Sequence, residues 1–292
     1  MHDWILNRTR GRDVALETTI LAHGLPADRA PQIHRDLAQA VVGQGAEPCL
    51  IGVLRGRATA GMTEADLKDM LAADPVLKAN RSNLGVMLRT GATAATTVST
   101  TVEIAAAVGV CLMATGGIGG VHLGYADRLD ISADLLAIAS HPVAVVSSGC
   151  KNILDLAATR EALETLGVPV VGYRTDSFPA FYQRQTDIPI DHAFDDPNEL
   201  AAYIDAELRR TGRGIVVCNP IPAESEIPLE TWQAWLAEAK TSPAAAGRDA
   251  TPQLLARVHH LSEGRTVDAN IALALSNAAL AGTLAAGLAP SR

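Results

Sequence analysis

Lysine is scarce in this chain. Of its 24 basic residues, 20 are Arg and only four are Lys: Lys68, Lys78, Lys151 and Lys240. Arg keeps its proton at any ordinary pH, whereas Lys can be tuned into a base or a nucleophile, so each retained Lys raises the question of whether an amine is required there. Basic runs are absent as well, and the net charge is −8. A duplex-binding face needs clustered Lys and Arg, which excludes a nucleic-acid backbone as partner but leaves room for a small anionic ligand. Charged residues are 19% against 48% hydrophobic, which excludes a disordered or fibrous chain. The four cysteines, Cys49, Cys111, Cys150 and Cys218, form no CxxC pair and have no His at zinc-ligand spacing. Cys49, Cys111 and Cys218 lie in apolar runs and read as buried thiols. The first twelve residues are broken by Asp3, Arg8, Arg10 and Arg12 and lack a signal-peptide core. Two charge-free stretches, Ile104–Ala126 and Asn270–Pro290, are interrupted by glycines or by Asn270, Ser276, Asn277 and Thr283 and read as buried core rather than membrane spans. The expectation is a soluble, cytoplasmic protein with neither a membrane nor a nucleic-acid partner.

What is present is alternation. Short β-branched runs (Val14–Leu21, Pro48–Leu54, Val76–Lys78, Val110–Ala114, Val143–Ser147, Val168–Tyr173, Gly214–Cys218) are separated by stretches with helical periodicity, such as Ala27–Gln44, Thr97–Val108, Ser132–Ala139, Asn152–Leu166 and Pro197–Arg210. Thr63 with Asp66 forms a variant capping box. Strands separated by helices predict an α/β/α sandwich with a mostly parallel central sheet. Residues 1–292 read as a single catalytic domain in which 241–250, rich in Ala, Pro and Gly, links the body to two closing helices.

In such sheets ligands bind beyond the carboxyl ends of strands, and four segments there carry chemistry. Glu17 lies inside the first β-branched strand, so it is either an edge acid facing water or a general acid with a raised pKa. Thr115-Gly-Gly-Ile-Gly-Gly-Val-His122 misses the GxGxxG fingerprint; it is either a tight turn or a phosphate cradle with Thr115 and His122 as side-chain donors. Ser132 reads as a helix cap with Asp134 in the first turn, which leaves Asp130 free for a hard cation held partly through waters. Lys151 falls between a strand and a helix expected to start at Asn152, where the dipole disfavours its charged form. Lys78 also ends a strand, with Arg81 one turn on, a pairing suited to holding a dianion. Lys68 and Lys240 fall on polar helix faces.

Together, Glu17 in VALETTI, the TGGIGGVH loop, DISADL, GCKNILD around Lys151, Gly172-Tyr-Arg-Thr-Asp-Ser-Phe-Pro-Ala-Phe-Tyr182, Cys218-Asn-Pro-Ile-Pro222 and Asn270-Ile-Ala-Leu273 resemble the pseudouridine-5′-phosphate glycosidase family along nearly the whole chain. The resemblance implies an α/β/α fold, a homotrimer, Mn²⁺ or another divalent cation, and reversible cleavage of the C–C bond between uracil and ribose 5-phosphate. It places the proton donor on Glu17, the imine-forming lysine on Lys151 and the metal carboxylate on Asp130. Substrate contacts fall on Lys78, Val98, Thr115, His122, Ser132, Ala133, Asp134 and Asn270. The chain departs from the family pattern at Lys78-Ala-Asn-Arg81-Ser-Asn-Leu-Gly85, at Leu123 and at Cys150. These changes remove no catalytic group and bear on which base is accepted. Two other functions remain open: a C-glycosynthase joining ribose 5-phosphate to an aromatic natural-product acceptor, and a non-catalytic phosphosugar-binding protein.

Overall fold

A computed structural model describes residues 3–26, 28–240 and 257–288. The β-branched runs become β1 (Ile5–Asn7), β2 (Asp13–Glu17), β3 (Glu47–Leu54), β4 (Arg57–Ala60), β5 (Leu77–Ala79), β6 (Ala94–Thr96) and β7 (Leu112–Ala114). They are followed by β8 (Val121–His122), β9 (Ala144–Ser147), β10 (Leu154–Asp155), β11 (Val170–Tyr173), β12 (His192–Phe194) and β13 (Ile215–Cys218). Eleven strands form one sheet in the order β1-β4-β3-β2-β7-β9-β13-β11-β12, with β6 joined to β3 and β5 to β6, while β8 and β10 pair separately. The run from β3 through β12 is parallel, and only β4 and β6 meet β3 antiparallel. The carboxyl ends of β2, β7, β9 and β13 therefore share one edge.

Strand periodicity of two sends alternate side chains into two cores. Val14, Leu16, Val146 and Val217 pack under helices Ala30–Val42, Pro197–Thr211 and Arg265–Gly287. Ala15, Met113, Val145 and Val216 pack under Val98–Ala107, Ala133–Ser140 and Leu156–Thr165. This is the α/β/α sandwich that the alternation predicts. Helix Arg265–Gly287 has the length and hydropathy of a membrane span, yet it is the core helix that the sequence reading expects, packed on Ala30–Val42 and on β2, β7 and β9. A Cβ at Gly282 would stand 3.0 Å from the Val41 carbonyl oxygen, so glycine is what allows that approach.

Two boundaries differ from expectation, and both matter at the site. The strand expected over Val14–Leu21 stops at Glu17, and Thr19–His23 is helical. The Thr18 hydroxyl donates to the Ile51 carbonyl (2.9 Å) and accepts from the Thr96 N–H (2.8 Å), so side chains take over the ladder and turn the backbone away. The helix expected from Asn152 begins only at Leu156, capped by Asp155, whose carboxylate accepts from the Ala158 N–H at 3.0 Å. The 63–66 capping box is present with both of its bonds. All four thiols are free; Cys49, Cys150 and Cys218 are buried, but Cys111 is partly exposed. The 241–250 segment lies outside the described residues.

Candidate active site

Glu17 ends a central strand flanked by β3 and β7, so it is not an edge acid. The Thr115 hydroxyl, one residue past β7, donates to Glu17 Oε1. Burial raises the Glu17 pKa, and Asp134 adds to the shift; Lys151, the Thr115 hydrogen bond and Lys78 oppose it without cancelling it. The shift favours the protonated carboxyl over its ordinary balance, and one oxygen has a fixed donor in Thr115.

Lys151 reaches the same place from β9. Ser148 is fully buried, Gly149 adopts a left-handed backbone (φ +72°), and Cys150 bridges to Ile118. A Cβ on Gly149 would fall 1.8 Å from the Pro179 carbonyl oxygen, so only glycine makes this corner. The Lys151 N–H closes it on the Ile118 carbonyl at 3.3 Å. No helix starts at Lys151, so no helix dipole acts on its amine, contrary to expectation. What remains is the corner and the charges of Glu17 and Lys78.

Lys78 stands at the open rim of the cluster. Its pKa is lowered by desolvation and by the Lys151 charge, against the pull of Glu17 and Asp134. Arg81 is not its partner. That guanidinium donates to the Leu136 carbonyl (3.2 Å) and the Ser140 hydroxyl (3.1 Å), at the carboxyl end of helix Ala133–Ser140, where a cation is favoured.

Asp134 is buried and accepts from the Ser99 and Gly119 N–H groups, both at 2.9 Å. It ties the glycine loop to the first turn of helix Val98–Ala107. The Ser132 hydroxyl caps its own helix through the Asp134 N–H (3.2 Å), with Ala133 between them in the first turn. The Val98 side chain is buried in the core, so a ligand can meet only its backbone at the helix start. The loop glycines owe their place to close packing rather than to backbone freedom. A Cβ would meet the Phe181 ring at Gly117 (2.6 Å), Ser132 at Gly119 (2.2 Å) and Thr159 at Gly120 (2.3 Å). The N–H groups of Gly116, Gly117 and Gly120 take no part in the loop's hydrogen bonds. Asn270 Oδ1 is buried beside Gly116 without a partner. His122, in β8, places Nδ1 3.9 Å from the exposed Asp130 carboxylate.

Among the described residues no group of three His, Cys, Asp or Glu could enclose a metal. Asp134 already commits its oxygens to backbone N–H groups. The donor set suits only a hard cation that keeps most of its waters and hangs on Asp130. A separate cleft of about 300 Å³, lined by residues including Arg174, Asp176, Arg184 and Asp195, shares no residue with this cluster and holds no buried titratable group.

Sequence reasoning missed Asn277, Ser148 and Asn219, which lie beneath the cluster. Asn277 is fully buried; its amide donates to the Thr115 carbonyl at 2.8 Å and accepts from Asn219 Nδ2 at 2.9 Å. A carboxamide inside an apolar helix was the available signal.

Two lysines and two carboxylates gathered at the carboxyl edge of a parallel sheet define an enzyme site of the amine–acid type. Residues 8–287 match the family described as indigoidine synthase A like protein, and the chain belongs to that family. It is 44% identical over 283 residues to a pseudouridine-5′-phosphate glycosidase of Methylobacterium nodulans, covering 96% of this chain and 84% of that protein. The glycosidase of Paracoccus denitrificans is also 44% identical, with 94% and 93% covered. An indigoidine synthase A-like protein of Thermotoga maritima superposes with a TM-score of 0.89 at 35% identity, covering 96% of this chain and 95% of that one. The prealnumycin C-glycosynthase AlnA, in complex with ribulose 5-phosphate, superposes with a TM-score of 0.86 at 33% identity, covering 94% and 91%.

Proposed function

We propose that the chain cleaves the C-glycosidic bond of pseudouridine 5′-phosphate, giving uracil and ribose 5-phosphate through an imine on Lys151. The observation that carries this reading is the joint placement of Glu17, with its raised pKa, and Lys151 within electrostatic reach of each other. A C-glycoside has no leaving heteroatom to protonate, so the electrons must go elsewhere. The sugar C1′–O4′ bond opens, O4′ takes a proton, and Lys151 Nζ bonds to C1′. Glu17 then delivers a proton to C5 of the base. As the C5–C1′ bond breaks, its electron pair restores the ring double bond and the nitrogen lone pair forms the C1′=N iminium. Water hydrolyses the iminium, releasing ribose 5-phosphate and the free amine. Arg could not serve at 151, because its guanidinium stays protonated.

Lys78 and the backbone of Val98 hold the sugar phosphate, together with His122, Asn270 and the free N–H groups of the glycine loop; Ser132, Ala133 and Asp134 shape the wall. Thr115 acts mainly on Glu17. Asp130 would hold a divalent cation such as Mn²⁺, which when bound would supply positive charge near the phosphosugar. The comparison with AlnA supports an open-chain sugar: ribulose 5-phosphate has its 5-oxygen blocked and cannot close a furanose ring. It also supports the second reading, joining ribose 5-phosphate to an aromatic acceptor, since both directions use the same imine. The exposed Leu123, Tyr125, Leu129 and Ile131 fit a contact between copies in a homotrimer, which sedimentation equilibrium tests. Incubating the protein with Mn²⁺ and pseudouridine 5′-phosphate should release uracil. No uracil, with ribose 5-phosphate still bound, would favour the synthase reading.

A further inference from the structure

The hydrogen-bond donor to Glu17 and the corner that carries Lys151 stand on chain segments that meet at one buried amide. Asn277 Nδ2 donates to the Thr115 carbonyl (2.8 Å) and lies 3.2 Å from the Ser148 hydroxyl and 3.4 Å from the Gly116 carbonyl. Its oxygen accepts from Asn219 Nδ2 at 2.9 Å, and the Ser148 hydroxyl donates to the Asn219 carbonyl at 2.9 Å. Thr115, Ser148 and Asn219 are the residues that follow β7, β9 and β13, and each is buried. Their backbones are stitched in turn: the Ser148 N–H donates to Gly116 and the Asn219 N–H to Ser147. One end of this cluster is the Thr115 hydroxyl on Glu17. The other is the Ser148–Gly149 step that turns the chain towards Lys151. Strand ends beyond the ladder are the least constrained part of a sheet, and here a single carboxamide from helix Arg265–Gly287 clamps three of them.

We propose that Asn277 is a positioning residue, setting the Thr115 hydroxyl on Glu17 and the corner that carries Lys151. The amide is well suited to the task. It donates and accepts in one plane, so it pairs the buried Thr115 carbonyl while accepting from Asn219 Nδ2, which also donates to the Ser276 hydroxyl at 3.0 Å. Asp would bring a second acceptor to the Thr115 carbonyl, and Leu would leave that carbonyl without its 2.8 Å amide donor. The clamp acts on Glu17 only through Thr115, which makes the coupling separable from bulk stability. It rests on the reading of Glu17 as the proton donor.

The test is a double-mutant cycle of Thr115→Val and Asn277→Ala. Glu17 titration is read without turnover, as the difference in Tm between each protein and its Glu17→Gln version between about pH 4 and pH 9. The Thr115 hydrogen bond lowers the Glu17 pKa, so its loss moves the titration midpoint upward. The midpoint in Asn277→Ala should rise as far as in Thr115→Val, and the double variant should rise no further. Uracil release by Asn277→Ala should fall roughly 10- to 100-fold in kcat, with KM nearly unchanged. An unmoved midpoint in Asn277→Ala, or additive shifts in the double variant, overturns the proposal. If Asn277→Ala does not fold, Asn277→Ser keeps a short polar group and is read in the same way. A wild-type protein that releases no uracil would sink the proposed reaction, while the titration would still decide the clamp.

Discussion

In the proposed reaction Glu17 and Lys151 make opposite demands on their surroundings: one has to deliver a proton and the other has to act as a free amine. Burial does the first, and it has a thermodynamic cost. A carboxyl whose folded pKa is raised above the ordinary 4.5 binds more protons folded than unfolded. Its contribution to stability is therefore lost as pH rises from about 4.5 through the folded value, and each pH unit between those two values is worth about 1.4 kcal/mol. Glu17→Gln should abolish uracil release, a loss of at least roughly 10²-fold. At neutral pH it should also raise Tm, because the amide has no ionisation penalty. A thermal melt at pH 7.5, with the wild type beside it, checks the sign, and a lower Tm would contradict burial as the dominant cause. Asp130 behaves differently: it is exposed, and its carboxylate lies 3.9 Å from His122 Nδ1. Asp130→Ala should leave Tm within about 1 °C, in keeping with the small effect of surface substitutions, while removing the stimulation by Mn²⁺ in chelator-treated buffer. Wild-type metal response in that variant would move the cation elsewhere.

The elements that carry the site are held by close approaches rather than by propensity. Gly149 is the sharpest case, because it combines a positive φ with a Pro179 carbonyl oxygen 1.8 Å from where a Cβ would be. Gly149→Ala should cost about 1–2 kcal/mol from the left-handed backbone alone, and more from the collision. It should suppress activity beyond the loss in folded protein, because it displaces Lys151. Activity per folded molecule, normalised by near-UV circular dichroism, checks this. Legibility in the sequence follows the same division. Strands such as β9 and β13 are readable because their β-branched runs are buried on both faces, and the helix caps at Thr63 and Ser132 because they use local chemistry. β2 is shorter than its apolar pattern because its end is set by Thr18 reaching Ile51 and Thr96, contacts far apart in the chain. The late start of the helix at Leu156 has the same origin: Leu154 and Asp155 pair with β8 before the helix begins. The candidate residues themselves are readable as chemistry at strand ends, and the resemblance supplies their roles. Asn277 is not, because its role exists only where three strand ends converge on one helix.

Across the whole molecule, the parallel run of the sheet brings Glu17, Thr115 and Lys151 together from β2, β7 and β9, adjacent in space though Glu17 is far from the other two in sequence. Helix Arg265–Gly287 crosses beneath that edge and supplies both Asn270, at the glycine loop, and Asn277, under the strand ends. This architecture places an acid and an amine within electrostatic reach of each other at one sheet edge. The proposed reaction requires a covalent bond between Lys151 and C1′ of the sugar, and that bond can be captured. Borohydride reduction in the presence of ribose 5-phosphate, followed by peptide mass spectrometry, should place a pentitol phosphate adduct on the Lys151 peptide, absent from Lys151→Arg. An adduct on the Lys78 peptide with Lys151 unmodified, or no adduct under conditions of full turnover, would contradict the imine mechanism.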